Sequence, residues 1–216
     1  MTPTSIGLAP GVPQEAAGQD AAKYGSSNPV VKALLDRWTN RLHTVLGPLS
    51  GTVLDIGVGE ALCLQRILAA DAADRPSDVK EPQVVGVEYR HDKAKVAGQL
   101  PPLEVVVGDA GLLPFPDACA DLVLCIEVLE HLPTVAPAVS ELARVTRDRC
   151  VVSVPWEPWF RLGNLARGKN VGRLGNDPEH LRAFTPRRLK RTLLTSFAEV
   201  TVVPVFPWLV ADARKA

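Results

Sequence analysis

Three acidic residues stand where short apolar segments of the sequence end: Asp55, Glu88 and Asp109. A carboxylate at the first position suits an ammonium group and repels phosphate. A carboxylate at the second position can accept hydrogen bonds from both hydroxyls of a ribose. One at the third position can accept a hydrogen bond from the amino group of an adenine. Together the three acids favour a cationic ligand with a ribose and an adenine but no phosphate. Taken singly, each is also explained as a solvated charge or a turn residue.

Two glycines, Gly57 and Gly59, follow Asp55 and let the backbone turn sharply beside a ligand. The pattern reads GxGxxL, so it lacks the third glycine that dinucleotide-binding folds place under a pyrophosphate. It also lacks the Lys-Ser/Thr pair of a phosphate-binding P-loop. S-adenosylmethionine fits the acids and this turn, whereas NAD and ATP do not. By itself, a GxG turn after a strand is also a common structural feature.

The elements that must position these residues alternate between short apolar segments and helical patterns. This alternation is typical of a parallel sheet covered on both faces, in which ligands bind beyond the carboxyl ends of the strands. The predicted strands are Thr52–Ile56, Gln83–Glu88, Leu103–Val107, Asp121–Ile126, Cys150–Val154, Val200–Val205 and Trp208–Ala213. The last two are too close for a crossover helix and must pair antiparallel. The sequence therefore predicts an α/β fold with a doubly wound, mostly parallel sheet whose last strand is antiparallel.

The rest of the chain is divided by composition and periodicity. Residues 1–22 are rich in Gly, Pro, Ala and Gln, which predicts a disordered leader, and 23–216 are predicted to form a single domain. Helices are predicted at 28–46, 60–70, 91–99 and 135–146, and another opens at Thr185-Pro186 with a good N-cap. Residues 71–82 are interpreted as a loop. Residues 155–185 are interpreted as a long irregular insertion in the position of a substrate lid.

Composition narrows the class of protein. The 216 residues carry 24 Lys+Arg and 24 Asp+Glu, and the zero net charge counts against a dedicated nucleic-acid binder. The four cysteines form no CxxC pair and are interpreted as buried thiols in a reducing compartment, so neither a disulfide framework nor a zinc site is predicted. No apolar run reaches the ~20 residues of a membrane span, and the N-terminus does not read as a signal peptide. We expect a cytoplasmic protein.

Four stretches resemble the class I S-adenosylmethionine-dependent methyltransferases, in particular the group that includes the ubiquinone/menaquinone-biosynthesis methyltransferases. They are VLDIGVGEAL (53–62), VVGVEYR (84–90), VVVGDAGLLPFPDACADLVLCIEVLEHL (105–132) and WLVADARKA (208–216). The third is the most specific, since a loop, a strand and a helix entry match together. The resemblance covers residues 24–216. It implies a Rossmann-like sheet of seven strands with the last antiparallel, and S-adenosylmethionine as the cofactor.

The resemblance also implies a set of cofactor-binding residues at the strand ends. They are Asp55, Gly57 and Gly59 for the methionine moiety, Glu88 for the ribose, Tyr89 beside the adenine, Asp109 and Ala110 at the adenine edge, and Glu127 on the sulfonium side. Two positions depart from the pattern. Val58 and Glu60 stand where many relatives carry small or polar residues, which blurs the local contacts.

Catalytic and substrate-binding residues are less constrained. His180 and His131 are the candidates for a general base, against structural roles as a partner of a backbone carbonyl and as a helix-entry residue. His180 lies in the insertion, and His131 follows the fourth strand. The predicted substrate-binding residues are Tyr24, Trp156, Arg161 and Asn164, and no metal site is predicted.

The insertion and the helix after it are strongly basic. Residues 161–191 contain nine Lys/Arg against Asp177 and Glu179, a local charge of +7. This stretch is interpreted as a basic lid that selects an anionic acceptor, or as the solvated face of a helix. The predicted function is methyl transfer to a small-molecule acceptor, with an RNA or protein methyltransferase and a non-catalytic S-adenosylmethionine-binding regulator as alternatives. We predict no membrane span and no nucleic-acid partner, and leave a homodimer open.

Overall fold

The computed structural model describes residues 24–100 and 103–215, so the predicted leader lies outside the described residues. Seven strands form one sheet in the order β3-β2-β1-β4-β5-β7-β6. They are β1 (Thr52–Ile56), β2 (Gln83–Glu88), β3 (Glu104–Val107), β4 (Ala120–Ile126), β5 (Thr146–Pro155), β6 (Glu199–Val205) and β7 (Trp208–Arg214). All seven predicted strands are confirmed. The fifth begins four residues earlier than predicted, because Thr146–Arg149 extend the pairing with β4.

Strand direction follows from the lengths of the connections. The strands β1 to β5 pair parallel, and helices connect β1 to β2, β2 to β3 and β4 to β5. The tight turn at Phe206-Pro207 makes β6 and β7 antiparallel, and β7 inserts between β5 and β6, antiparallel to both. The predicted antiparallel last strand is confirmed. The carboxyl ends of β1, β2, β3 and β4 consequently lie at one edge of the sheet.

The described residues contain six α-helices. They are α1 (Pro29–Leu46), α2 (Leu62–Asp74), α3 (His91–Ala97), α4 (Ala136–Val145), α5 (Trp159–Ala166) and α6 (Pro186–Leu193). Asn28 and Thr185 cap α1 and α6, as their positions before proline predict. Two predictions were wrong. The helix α2 runs on into the predicted 71–82 loop, and the predicted irregular insertion contains α5.

Each face of the sheet has its own apolar core. On one face α1 and α2 bury Trp38, Leu42 and Ile67 against the sheet, and Trp38 stacks on Trp208 with ring centroids 5.0 Å apart. The Trp38 indole also donates to Ser153 Oγ at 3.0 Å, which satisfies its buried N–H. On the other face α4 and α6 bury Leu142 and Leu189. Within 24–100 and 103–215, no helix has both the length and the apolar character needed to cross a membrane.

The side chain of Arg149 links β5 to β7 and to the end of α1, and its loss should destabilise the fold. Arg149 on β5 donates twice to Asp212 on β7, each at 2.9 Å, and also donates to the carbonyls of Leu46, at 2.7 Å, and Val45. Replacing Arg149 by methionine leaves the partly buried Asp212 carboxylate and the C-terminal carbonyls of α1 without these donors. We expect the free energy of unfolding in urea to fall by about 2 kcal/mol.

The control for this prediction is an exposed arginine on the same strand. Arg147 pairs with Asp121 at the surface, and such pairs contribute about 0–1 kcal/mol. Arg147→Met should therefore change the urea midpoint much less than Arg149→Met. Equal midpoints for the two variants would show that the link from α1 to the sheet contributes nothing to stability.

Candidate functional site

The three acids predicted from the sequence do meet at one edge of the sheet. The strand β1 lies beside β2, and β2 lies beside β3, with Asp55 opposite Gly86 and Glu88 opposite Val107. Gly108, which precedes Asp109, donates its N–H to the Glu88 carbonyl at 3.1 Å. Neighbouring parallel strands therefore bring Asp55, Glu88 and Asp109 side by side.

Glu88 is held in a fixed orientation by the backbone on either side of it. Its carboxylate is buried, Oε2 accepts the Gly59 N–H at 2.9 Å, and Oε1 accepts the Arg90 N–H at 2.8 Å. A carboxylate oxygen has two lone pairs, so each one retains acceptor capacity for a ligand hydroxyl. The geometry suits a pair of adjacent hydroxyls, as in a ribose.

The turn after β1 is built from three left-handed residues. Gly57 has φ +79° and Gly59 has φ +59°, and the N–H groups of Gly57 and Val58 both donate to the Val87 carbonyl. A Cβ at Gly57 would lie 2.3 Å from Val128 Cγ2, so only glycine fits there. The third is Ala61, with φ +61°, at the start of α2. The GxGxxL pattern did not predict this residue, because the left-handed conformation costs an alanine roughly 1–2 kcal/mol and is expected only of glycine.

Asp55 is a buried acid whose ionisation is coupled to Glu88. Burial, and to a smaller extent the nearby negative charge of Glu88, together raise the pKa of the Asp55 carboxyl to about 7. A cation bound beside Asp55 would favour its charged form and reverse this effect. In the ligand-free site the charged form of Asp55 is therefore unfavourable, and a cationic ligand would stabilise it.

An open groove of about 680 Å³ lies between the ends of β2 and β3. Its lining residues are Tyr89, Arg90, His91, Asp92, Val107, Gly108 and Asp109. The volume falls in the range of small-ligand sites, and Tyr89, 72% exposed, offers an aromatic face. Asp109 is exposed and its Oδ1 accepts the Gly111 N–H at 2.7 Å in an Asx turn, and Ala110 is partly buried beside it. The groove suits a planar base.

The two candidate bases lie together, although 49 positions separate them in the sequence. The ring centroids of His131 and His180 are 5.2 Å apart, and both residues form a cluster with the buried carboxylate of Glu130. His131 follows β4 in a short 3₁₀ turn at Leu129–His131. Glu130 was missed at the sequence level because only the return of residues 179–182 to this turn brings the three together. Glu127, with φ +60°, directly follows β4 and donates its N–H to the Ser153 carbonyl.

Backbone hydrogen bonds hold the insertion at its beginning and near its end. Glu157 N–H donates to the Phe184 carbonyl, while the N–H groups of Leu181 and Arg182 donate to the Glu130 carbonyl at 2.8 and 3.1 Å. These bonds place the insertion over the carboxyl ends of β4 and β5.

The four predicted substrate-binding residues come from two segments of the chain: Tyr24 from the first, and Trp156, Arg161 and Asn164 from the insertion. Tyr24 packs against the core beneath α1, and Trp156 packs edge-on to Trp159. Arg161 lies on α5 beside Glu157, and Asn164 is buried, donating to the Gly175 carbonyl at 2.9 Å. The sequence placed Arg161 and Asn164 in a loop, and the helix corrects that placement. Packing accounts for these contacts, and substrate binding by the four stays a prediction.

Solved structures share this architecture. A SAM-dependent methyltransferase of Aquifex aeolicus superimposes with a TM-score of 0.65, over 93% of this chain and 100% of that one, at 15% identity. The magnesium protoporphyrin IX methyltransferase of Synechocystis PCC 6803, solved with bound SAH, gives 0.62 over 92% and 98% of the two chains, at 17% identity. At these identities the similarity shows the fold.

Comparison with known protein sequences identifies a methyltransferase domain in this chain. A methyltransferase-domain family model matches residues 54–154. A probable S-adenosylmethionine-dependent methyltransferase of Mycolicibacterium smegmatis is 38% identical over 108 residues, covering 48% of this chain and 37% of that protein. Another of Mycobacterium tuberculosis is 30% identical over 162 residues, covering 67% and 56%. The chain contains a methyltransferase domain, and the curated proteins it resembles are named as probable S-adenosylmethionine-dependent methyltransferases. The chain spans 37% and 56% of the lengths of these two curated relatives.

The strand-end residues of this methyltransferase domain fit the family's cofactor. Glu88 presents two oriented carboxylate oxygens for the ribose hydroxyls, and the groove beside Tyr89 and Asp109 suits the adenine. The buried Asp55 suits an ammonium group, and Gly57 and Gly59 leave the backbone open to close approach. Placement in the ubiquinone/menaquinone group rests on the sequence motifs and stays a prediction.

Proposed function

We propose that this protein transfers a methyl group from S-adenosylmethionine to a small-molecule acceptor that carries negative charge. The observation that carries the proposal is the Glu88 carboxylate, oriented by the N–H groups of Gly59 and Arg90 at the end of β2. When bound, S-adenosylmethionine supplies a methyl group on a positively charged sulfur. The protein then contributes alignment and exclusion of water, and good orientation alone can lower a barrier by ~7–11 kcal/mol.

Each acid has a separate part in holding the cofactor. Asp55 neutralises the ammonium of the methionine moiety, and Glu88 accepts the ribose hydroxyls. Glu127, directly after β4, would face the sulfonium. Asp55, Glu88 and Glu127 would thus hold the methionine, ribose and sulfonium parts of the cofactor.

His131 supports a base-assisted reaction. Its Nδ1 lies 3.0 Å from the Glu179 carbonyl oxygen, which can only accept, so Nδ1 carries the proton and Nε2 keeps its lone pair. In this tautomer Nε2 can take a proton from a hydroxyl or amine acceptor. A base so placed typically contributes about 10²–10⁴-fold to the rate.

The charge of the insertion supports an anionic acceptor. Lys169 and Arg173 are exposed on the segment that follows α5, and the insertion is tied to the Glu130 carbonyl at the end of β4. Basic residues over a pocket raise the local concentration of anionic ligands. Amino methylation of a nucleic acid is disfavoured because Cys125–Val128 occupies the place of the Asn-Pro-Pro-Tyr-type signature of enzymes that catalyse it.

A labelling experiment tests the acceptor class. The purified protein is incubated with methyl-labelled S-adenosylmethionine and cell extract, and the products are separated by anion exchange after nuclease and protease treatment. We expect the label in a small, anionic product. Label lost to the nuclease or protease would point to RNA or protein, and no transfer by a protein that binds the cofactor would point to a regulator.

Charge reversal in the insertion should affect the acceptor and spare the cofactor. With the labelled acceptor in hand, Lys169→Glu combined with Arg173→Glu should raise its KM about tenfold or more, since attraction becomes repulsion. The matched control is Lys32→Glu with Arg37→Glu on the exposed face of α1. An identical KM for the two double variants would contradict the role of the basic insertion.

A further inference from the structure

Glu130, His131 and His180 form a cluster whose composition suits a metal ion. One ligand atom from each residue lies within 4.8 Å of the others, and Glu130 is only 1% exposed while the two histidines are partly buried. Two imidazoles and one carboxylate are a donor set that first-row transition metals bind, whereas magnesium and calcium prefer oxygen ligands. We propose that this cluster is a binding site for a divalent transition-metal ion such as Zn²⁺ or Co²⁺.

Backbone hydrogen bonds build the cluster in advance. The N–H groups of Leu181 and Arg182 both donate to the carbonyl of Glu130, and the His131 ring bonds to the Glu179 carbonyl. The residues on both sides of His180 are therefore fixed to the turn that carries Glu130 and His131. His180 also packs against Phe160, with ring centroids 5.3 Å apart, which restricts its orientation. A site assembled from distant segments in this way loses little freedom when it binds an ion.

The hydrogen bond of His131 is the kind that metal-ligating histidines make. A ligating imidazole usually donates its second ring N–H to a carbonyl or carboxylate, which fixes the tautomer and the ring plane. His131 does so through Nδ1 to Glu179, which leaves Nε2 as the ligating nitrogen, so His131 can act as a base only while no metal is bound. Tetrahedral ligands at ~2.1 Å from a metal are roughly 3.4 Å apart, so small side-chain rotations close the cluster around an ion.

Three protein ligands leave coordination positions open. Sites with this count are the open kind, in which a water or a substrate oxygen completes the coordination. The cluster begins three residues after Glu127, the residue expected to face the sulfonium. The metal site stands on its own geometry; its use in holding an acceptor oxygen beside the methyl group rests on the proposed function.

Direct metal titration tests the site without measuring methyl transfer. Tag-free full-length protein is stripped with a chelator, dialysed, and titrated with Co²⁺ while its visible absorption is followed, and with Zn²⁺ by calorimetry. We expect one equivalent of each to bind, without the intense near-ultraviolet band of cobalt–thiolate bonding. His180→Ala and Glu130→Gln should each weaken binding by at least about 30-fold, since loss of even an outer partner of a ligand costs 10–100-fold.

Two controls separate the site from nonspecific binding and from misfolding. His43→Ala removes a histidine that lies near Asp74, far along the chain from the cluster, and should leave the titration unchanged. Unchanged affinity for S-adenosylhomocysteine would show that His180→Ala is folded.

The outcomes separate this proposal from the proposed function. No stoichiometric Co²⁺ or Zn²⁺ binding, or binding that His180→Ala leaves intact, would overturn the site and leave the cluster as a structural Glu–His contact. Binding of Mg²⁺ alone would also overturn it. Metal binding by a protein that transfers no methyl group would count against the proposed function only.

Discussion

Glu88→Ala is expected to weaken binding of S-adenosylhomocysteine by about 10²–10⁴-fold. Two charge-assisted hydrogen bonds to the ribose hydroxyls are lost, each contributing about 1.5–3 kcal/mol. The substitution also removes the acceptors that hold the Gly59 and Arg90 N–H groups, so the turn after β1 loses its orientation. S-adenosylhomocysteine is the appropriate probe because it has the same ribose, adenine and ammonium but undergoes no transfer. Equilibrium dialysis measures the two dissociation constants.

The matched control for Glu88 is an acid outside the site. Glu81 precedes β2 and pairs with Arg75 at the surface, so Glu81→Ala should leave the dissociation constant unchanged. Thermal unfolding without ligand checks that both variants are folded. A folded Glu88→Ala protein with wild-type affinity would refute the ribose assignment.

Asp55→Asn is expected to have opposite effects on binding and on stability. Asparagine cannot neutralise the ammonium of the cofactor, so affinity should fall by at least about tenfold at pH 7.5. In the ligand-free protein the same change removes a buried group that resists ionisation. The folded-state pKa of Asp55, about 7, is above its unfolded value of 3.8, so the stabilisation present at low pH is lost as pH rises between these values.

The variant should therefore be more stable than the wild type at pH 8 and similar to it near pH 4. The size of the difference at pH 8 is a few kcal/mol at most, since each pKa unit corresponds to about 1.4 kcal/mol. Urea unfolding at the two pH values, without ligand, measures it. A variant less stable than the wild type at pH 8 would show that Asp55 is stabilised as a carboxylate by the fold itself.

The wild-type affinity should also depend on pH. Binding of the ammonium requires ionised Asp55, so affinity should fall by about 20-fold from pH 7.5 to pH 5.5, in line with a pKa of about 7. The affinity of Asp55→Asn should be flat over this range. Parallel profiles for the two proteins would assign the pH dependence to another group.

The sheet could be predicted because its signals are local. The strands β1 and β2 have the bounds that the apolar segments predict, and the short turn at Phe206-Pro207 requires β6 and β7 to be antiparallel. The insertion of β7 between β5 and β6 is a tertiary outcome with no local signal. The helix α5 was not predicted, because its apolar face is short and the glycine and prolines in and around it favour an irregular segment.

The cofactor residues and the acceptor side differ in how far sequence could predict them. Asp55, Glu88 and Asp109 end neighbouring strands, so the order of the strands was enough to bring them together. The cluster of Glu130, His131 and His180 instead depends on where the insertion returns to the sheet. Spacing in the sequence carries no signal for that contact, which is why the two histidines were predicted as separate candidates and no metal site was predicted.

The central claim is that the strand ends of β1, β2 and β3 form a binding site for S-adenosylmethionine. Calorimetric titration of the full chain with S-adenosylmethionine at pH 7.5 tests it most directly. We predict one site per chain, with a dissociation constant in the micromolar range and a negative enthalpy from the hydrogen bonds of Glu88 and Asp55. No binding at millimolar ligand, by a protein shown to be folded, would contradict the account.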